Sequence, residues 1–106
     1  NTPTLSPHCP DTEKYDTLER IVARLVAMKD GGTLGGLAIA DIVTVNGARV
    51  MLENGAWALV RASSNTPNLV VVCESPTSRD ELRAIFEGLD AVIREEPNVG
   101  EYDQTF

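Results

Sequence analysis

The residues best suited to chemistry stand together in one short stretch, Arg61-Ala62-Ser63-Ser64-Asn65-Thr66-Pro67. A guanidinium offers a planar fork of donors that matches the spacing of two phosphate oxygens. The hydroxyls of Ser63, Ser64 and Thr66 and the amide of Asn65 add further donors. Successive N–H groups in a tight turn can also converge into a nest for an anion. The same composition would serve a second purpose, a polar turn beside a solvated arginine. The residue types alone leave both readings open.

Other candidate groups are poorer. His8 is the only histidine and lies in an arm with Pro3, Pro7 and Pro10, without a nucleophile or carboxylate at motif spacing, so it reads as solvated. Asp80-Glu81 and Glu95-Glu96 are paired carboxylates in sequence only and read as charges at helix ends. Neither a nucleophile with an adjacent base nor a metal-ligand cluster is apparent, so no catalytic residue and no metal site is expected in this chain. The run Gly31-Gly32-Thr33-Leu34-Gly35-Gly36 lacks the strand before, the helix after and the closing Lys-Ser/Thr of a phosphate-cradling loop. It reads as a flexible connection. Cys9 and Cys73 match neither a disulfide framework nor a metal knuckle. Cys73 lies among valines and reads as a small buried hydrophobe in a reducing cytoplasm.

The elements that must position Arg61 follow from periodicity. A helix is expected from Thr12 to Lys29, capped by Asp11, with Tyr15, Leu18, Ile21, Val22, Leu25 and Val26 on its apolar face. Asp30-Gly31-Gly32 stops it. Ile42 to Val45, Ala48 to Glu53 and Ala56 to Ala62 are β-rich runs joined by Asn46-Gly47 and Asn54-Gly55, the preferred pair for two-residue hairpin turns. Alternation puts Val50 and Leu52 opposite Arg49 and Met51, and Trp57, Leu59 and Arg61 opposite Ala58, Val60 and Ala62. After the loop Ser63 to Asn68, Leu69 to Glu74 forms a fourth strand, and its continuous apolar run implies cover on both faces. Residues 78–94 form a second helix, with a Ser78/Glu81 capping box and a stripe of Leu82, Ile85, Phe86, Leu89, Val92 and Ile93. The fold class expected is therefore α+β: a four-stranded, mainly antiparallel sheet with two helices on one face. The other face, with Trp57 and the mouth of the 61–67 loop, is left free for a ligand or partner.

Length and charge narrow the function. One domain is expected from 106 residues, 42% hydrophobic and 24% charged. A formal net charge of −7 argues against a nucleic-acid partner, as do one Trp, two Tyr and two Phe. No apolar run has membrane-spanning length, and no charged-then-apolar leader marks secretion. The first residue, Asn1, is not a methionine, as expected of a piece of a longer chain.

The stretch Asn54-Gly55-Ala56-Trp57-Ala58-Leu59-Val60-Arg61-Ala62-Ser63-Ser64-Asn65-Thr66-Pro67 resembles the carboxy-terminal domain of the α-D-phosphohexomutases, the phosphomannomutase and phosphoglucomutase family. Members carry an acidic-or-Asn-Gly turn, a Trp, then Arg-x-Ser-Gly-Thr-Glu-Pro or a variant close to Arg-Ala-Ser-Asn-Thr-Thr-Pro. The likeness extends to the lead-in from Thr2-Pro3 to Asp11 and to the first helix. It implies the last domain of a four-domain enzyme that interconverts hexose 1-phosphate and 6-phosphate through a phosphoserine and a bisphosphate intermediate. The domain would have the fold likened to the TATA-binding protein. The phosphoserine, the magnesium-binding loop and the sugar-recognition loop would all lie in the other domains.

What falls to this chain by that resemblance is the grip on the substrate's non-reacting phosphate. Arg61, Ser63 and Thr66 match the motif by position, and Ser64 and Asn65 occupy its Gly/Asn and Thr places. Many members place a second arginine in the following strand, where this chain has Val70, Val71 and Val72. The implied partners are a phosphosugar substrate and the other domains of the same polypeptide, with no nucleic acid and no membrane. No cofactor is expected on this chain, magnesium being held elsewhere in a cytoplasmic enzyme. The expected organisation is a lead-in over 1–10, the domain over 11–94 and an acidic tail over 95–106, with Tyr102 and Phe106 as candidate contacts. Alternatives from another class are a free-standing anion-binding or oligomerisation module without catalysis.

Overall fold

The computed structural model describes residues 4–102. The first three residues of the expected lead-in and the suggested contact of Phe106 lie outside them. In chain order the elements are α1 (Lys14–Ala27), β1 (Thr33–Leu34), β2 (Leu37–Val43), β3 (Ala48–Leu52), β4 (Trp57–Ala62), β5 (Leu69–Glu74) and α2 (Arg79–Ile93). The strands form one antiparallel meander in the order β1-β2-β3-β4-β5. The α+β class is as expected, with five strands where four were anticipated.

The additional strand comes from the glycine run. Gly35 and Gly36 both take positive φ, which closes a two-residue reversal with Leu34 opposite Leu37. The run is thus a hairpin, not a flexible connection, and it is packed. A Cβ on Gly35 would stand 2.7 Å from the Ile85 nitrogen in α2. β2 covers Leu37–Val43 instead of 42–45, with a register shift between Ile39 and Asp41 that masks its alternation in the sequence. The chain then turns through 44–47, leaving Val45 exposed. Neither Asn-Gly pair makes the expected two-residue turn. At the second, Leu52 N–H bonds the Ala56 carbonyl at 2.9 Å, so three residues, Glu53 to Gly55, form the loop.

Both helices lie on one face of the sheet. Leu18, Ile21 and Leu25 of α1 and Leu82, Ile85, Leu89 and Ile93 of α2 bury against Val50, Leu52, Ala58, Val60 and Val71. Each large apolar side chain so buried contributes about 1.5–3 kcal/mol. Tyr15 and Val26, expected in the core, are 61% and 47% exposed. The residues of α1 that bury are Lys14, Thr17, Leu18, Ile21 and Leu25. At 3.6 residues per turn, Tyr15 and Val26 stand about a third of a turn from the centre of that stripe.

Two caps differ from expectation. Glu13, not Asp11, precedes α1 and makes no side-chain cap. The Pro10 carbonyl accepts from Glu13 and Lys14 N–H at 2.9 Å instead, which frees Asp11 to pair with Lys14. At α2, Ser78 Oγ accepts from Glu81 N–H at 3.1 Å, the forward half of a capping box. The Glu81 carboxylate turns to Ser75 and Asn54 rather than back to Ser78, and the Ser75 hydrogen bond holds its carboxyl below the usual range.

The ends of the described chain are tied down. Leu5 and Val71 exchange backbone hydrogen bonds of 3.0 and 2.8 Å, and Leu69 N–H bonds the Pro7 carbonyl at 3.0 Å. This segment covers the outer edge of β5, which satisfies backbone groups an edge would leave open. Beyond α2, Glu96 is buried and accepts from Arg20 at 2.7 Å and from Arg24. Tyr102 hydroxyl donates to Asp90 at 2.6 Å, and its ring meets Phe86 edge-on.

Candidate anion-binding site

β4 delivers Arg61 to the end of the sheet on the face away from the helices, as alternation requires. Its side chain is exposed. The other described cations have partners. Lys14, Arg20, Arg24, Lys29 and Arg94 are ion-paired, and Arg49 lies 4.5 Å from the centre of the Trp57 ring. Arg79 and Arg83 are also engaged. Arg61 alone among the described lysines and arginines has no hydrogen-bond, ion-pair or ring partner. A guanidinium left bare on a chain of net charge −7 is an unused set of donors.

The loop that follows is built from its own short side chains. Thr66 hydroxyl donates to Ser63 Oγ at 2.8 Å, and Ser63 Oγ donates to Asn65 Oδ1 at 3.3 Å. Ser63 N–H bonds the Asn68 carbonyl, and Asn68 N–H bonds the Thr66 carbonyl, at 2.9 and 2.8 Å. Ser63 is buried, while Ser64, Asn65 and Thr66 are exposed. The backbone N–H groups of Ser64, Asn65 and Thr66 make no hydrogen bond among the described residues. Of the five residues singled out by sequence, Arg61 and Ser64 therefore have free side chains. Ser63, Asn65 and Thr66 spend theirs on shaping the turn, and the last two present free amides.

Two anchors fix this loop, and neither was apparent from motif reading. Lys14 is 4% exposed and donates to the Thr66 carbonyl at 2.9 Å as well as to Asp11 at 2.8 Å. Its signal lay in periodicity, because it precedes Leu18 by four residues on the buried stripe of α1. Pro67 carbonyl accepts from Cys9 N–H at 2.8 Å. Gly47 completes the surroundings. A Cβ there would reach 2.2 Å from the Val60 carbonyl and 3.0 Å from Arg61 Cβ, so glycine lets the β2–β3 turn press against β4.

The result is a pocket of about 390 Å³. Tyr15 and Leu18 of α1, Asn46 and Gly47 of the turn, and Arg61, Ala62 and Ser64 line it. Trp57, on the same sheet face as Arg61, is not free: its Nε1 donates to Glu74 at 2.8 Å.

Nucleophilic and metal chemistry find little here. Cys9 and Cys73 are buried thiols that form no disulfide. Burial raises the Cys9 pKa and pushes that of Cys73 up to about 12, so both stay protonated. His8 is exposed and held through its backbone to Glu101 and Gly100. Among the described residues no group of three or more His, Cys, Asp or Glu side chains is placed to hold a metal ion. No helix among them is long and apolar enough to cross a membrane.

Fold and site together define a small α+β domain with an exposed arginine and a polar loop at the end of an antiparallel sheet. The family profile described as phosphoglucomutase/phosphomannomutase, C-terminal domain, matches residues 9–92, and the chain belongs to that family. It is 37% identical over 76 residues to a phosphopentomutase of Thermococcus kodakarensis. It is 33% identical over 79 residues to a protein described as "probable phosphoglucosamine mutase" of Methanothermobacter thermautotrophicus. These alignments cover 70% and 74% of this chain but 16% of each relative.

Proposed function

We propose that residues 61–67 hold the phosphate of a phosphosugar in a mutase whose nucleophile and magnesium site lie in other domains of the same polypeptide. The observation that carries this reading is the unpartnered guanidinium of Arg61 beside three consecutive free amides, on an otherwise acidic domain. Arg61 supplies the fork, Ser64 a hydroxyl, and the amides from Ser64 to Thr66 complete a nest for the remaining phosphate oxygens. Ser63, Asn65 and Thr66 hold that nest in shape through their mutual hydrogen bonds. The reaction is the exchange of phosphate between the 1-position and the terminal position of the sugar, the 6-position in a hexose. This domain orients the end of the substrate that is not reacting, which lowers the entropic cost of the step performed elsewhere. Such an enzyme works in the cytoplasm, with neither nucleic acid nor membrane as a partner.

The test is an NMR titration of the labelled chain with inorganic phosphate and with glucose 6-phosphate, glucose serving as control. Both phosphates should shift the amides from Arg61 to Asn68, and glucose should not. A millimolar Kd, about −4 kcal/mol, is expected of one arginine and a few hydrogen bonds after association costs. Added salt should weaken it further. Shifts centred on residues 31–36, or none at all, would end this reading.

A further inference from the structure

We infer that the pocket at Arg61 has a second half, in which the Tyr15 ring walls the carbon skeleton of the phosphorylated ligand and the Asn46 amide meets its hydroxyls. The inference rests on the phosphate role proposed above. Tyr15 is 61% exposed, an unusual position for a large aromatic that leads a helix otherwise packed on the core. It lines the same pocket as Arg61 and Ser64, with Leu18 behind it. Among the described residues no aromatic ring stacks on it, and the charge over its face is that of Lys14, 5.4 Å away and already committed to the Thr66 carbonyl. An open aromatic face beside a cluster of anion donors suits a ligand with an apolar surface and a charged end.

Asn46 supplies the polar counterpart. It is exposed, adopts a φ of 56°, and its side chain has no partner among the described residues, leaving two donors and an acceptor free. The close approach of Gly47 to the Val60 carbonyl brings this turn against β4, and Asn46 lines the same pocket as Arg61. A sugar ring offers both required surfaces, hydroxyls around its rim and C–H groups on its faces. The pocket, at about 390 Å³, is larger than an inorganic phosphate fills and falls within the range of small-molecule sites.

The experiment compares two ligands on three proteins: inorganic phosphate and glucose 6-phosphate, on the wild-type chain, Tyr15→Ala and Tyr15→Phe. In the wild type, glucose 6-phosphate should bind about three- to tenfold tighter than phosphate, the size of an aromatic contact. It alone should shift the signals of Tyr15 and Asn46. Tyr15→Ala should erase that preference while leaving the phosphate Kd within about a factor of two, and Tyr15→Phe should keep it. Because Tyr15 lies outside the core, unchanged amide shifts away from the pocket will certify folding of each variant. An unaltered preference in Tyr15→Ala, or a response at 61–68 without one at Tyr15, overturns the ring contact and spares the phosphate reading. Loss of the preference in Tyr15→Phe overturns it too, since the hydroxyl would then be the contact. Absence of any phosphate response at 61–68 overturns both.

Discussion

Arg61 is defined by what it lacks. An exposed arginine with no partner contributes little to stability, so its replacement should separate binding from folding. Arg61→Lys keeps the charge and discards the fork. In the full-length enzyme we expect kcat/KM to fall about tenfold or more, the worth of one charge-assisted hydrogen bond. The melting temperature should move by only a few degrees. Steady-state kinetics and a thermal melt on the same preparation check this; a large drop in melting temperature with intact kcat/KM would make Arg61 a structural residue.

Between elements, a close seam joins the β1–β2 hairpin to α2. Gly35 and Gly36 share positive φ, but only Gly35 faces the backbone of Ile85, whereas a Cβ on Gly36 meets nothing within 4 Å. Gly36→Ala should cost about 1 kcal/mol, the left-handed penalty of an ordinary residue. Gly35→Ala adds displacement of α2 to that penalty and should cost about 2–4 kcal/mol. Urea denaturation of the two variants compares them directly, and equal losses would mean that the seam yields without strain.

For the molecule as a whole, Glu96 joins the chain after α2 to α1. Burial disfavours its charge, but the hydrogen bonds and charges of Arg24 and Arg20 outweigh burial and hold its carboxyl below the usual range. Its folded pKa is therefore below its unfolded one. The stability it contributes is complete above about pH 4.5 and is lost as pH falls through the lower folded value. Glu96→Gln should lower the melting temperature at pH 7 by roughly 5–15 °C. The gap from wild type should close on titration toward pH 3; a gap independent of pH would assign the loss to packing. At the same scale, a chain that covers 16% of its mutase relatives should not turn over alone. A coupled assay with a sugar 1-phosphate, a bisphosphate and magnesium should read background, and activity that survives repurification would contradict the division of labour proposed here.

The parts of this protein legible in sequence are those decided by local periodicity. The extents of α1, β3, β4, β5 and α2, the burial of Val50, Ala58 and Val60, and the outward direction of Arg61 all follow from repeats of 3.6 and 2 residues. The polar run from Ser63 to Thr66 marked the loop, and the motif around it marked the family. Tertiary structure decided the rest, because those outcomes depend on contacts between residues far apart in the chain. The glycine run became a packed hairpin because α2 offers it a close seat at Ile85. Leu5 became a core residue because β5 had an open edge to pair. Lys14 was drawn inward because the Thr66 carbonyl accepts a hydrogen bond from its ammonium and Asp11 pairs its charge, and Tyr15, one residue on, was left lining the pocket. Which donors of the loop remain free among the described residues, the property on which the proposed binding depends, was settled only when Ser63, Asn65 and Thr66 bonded one another and Arg61 found no partner.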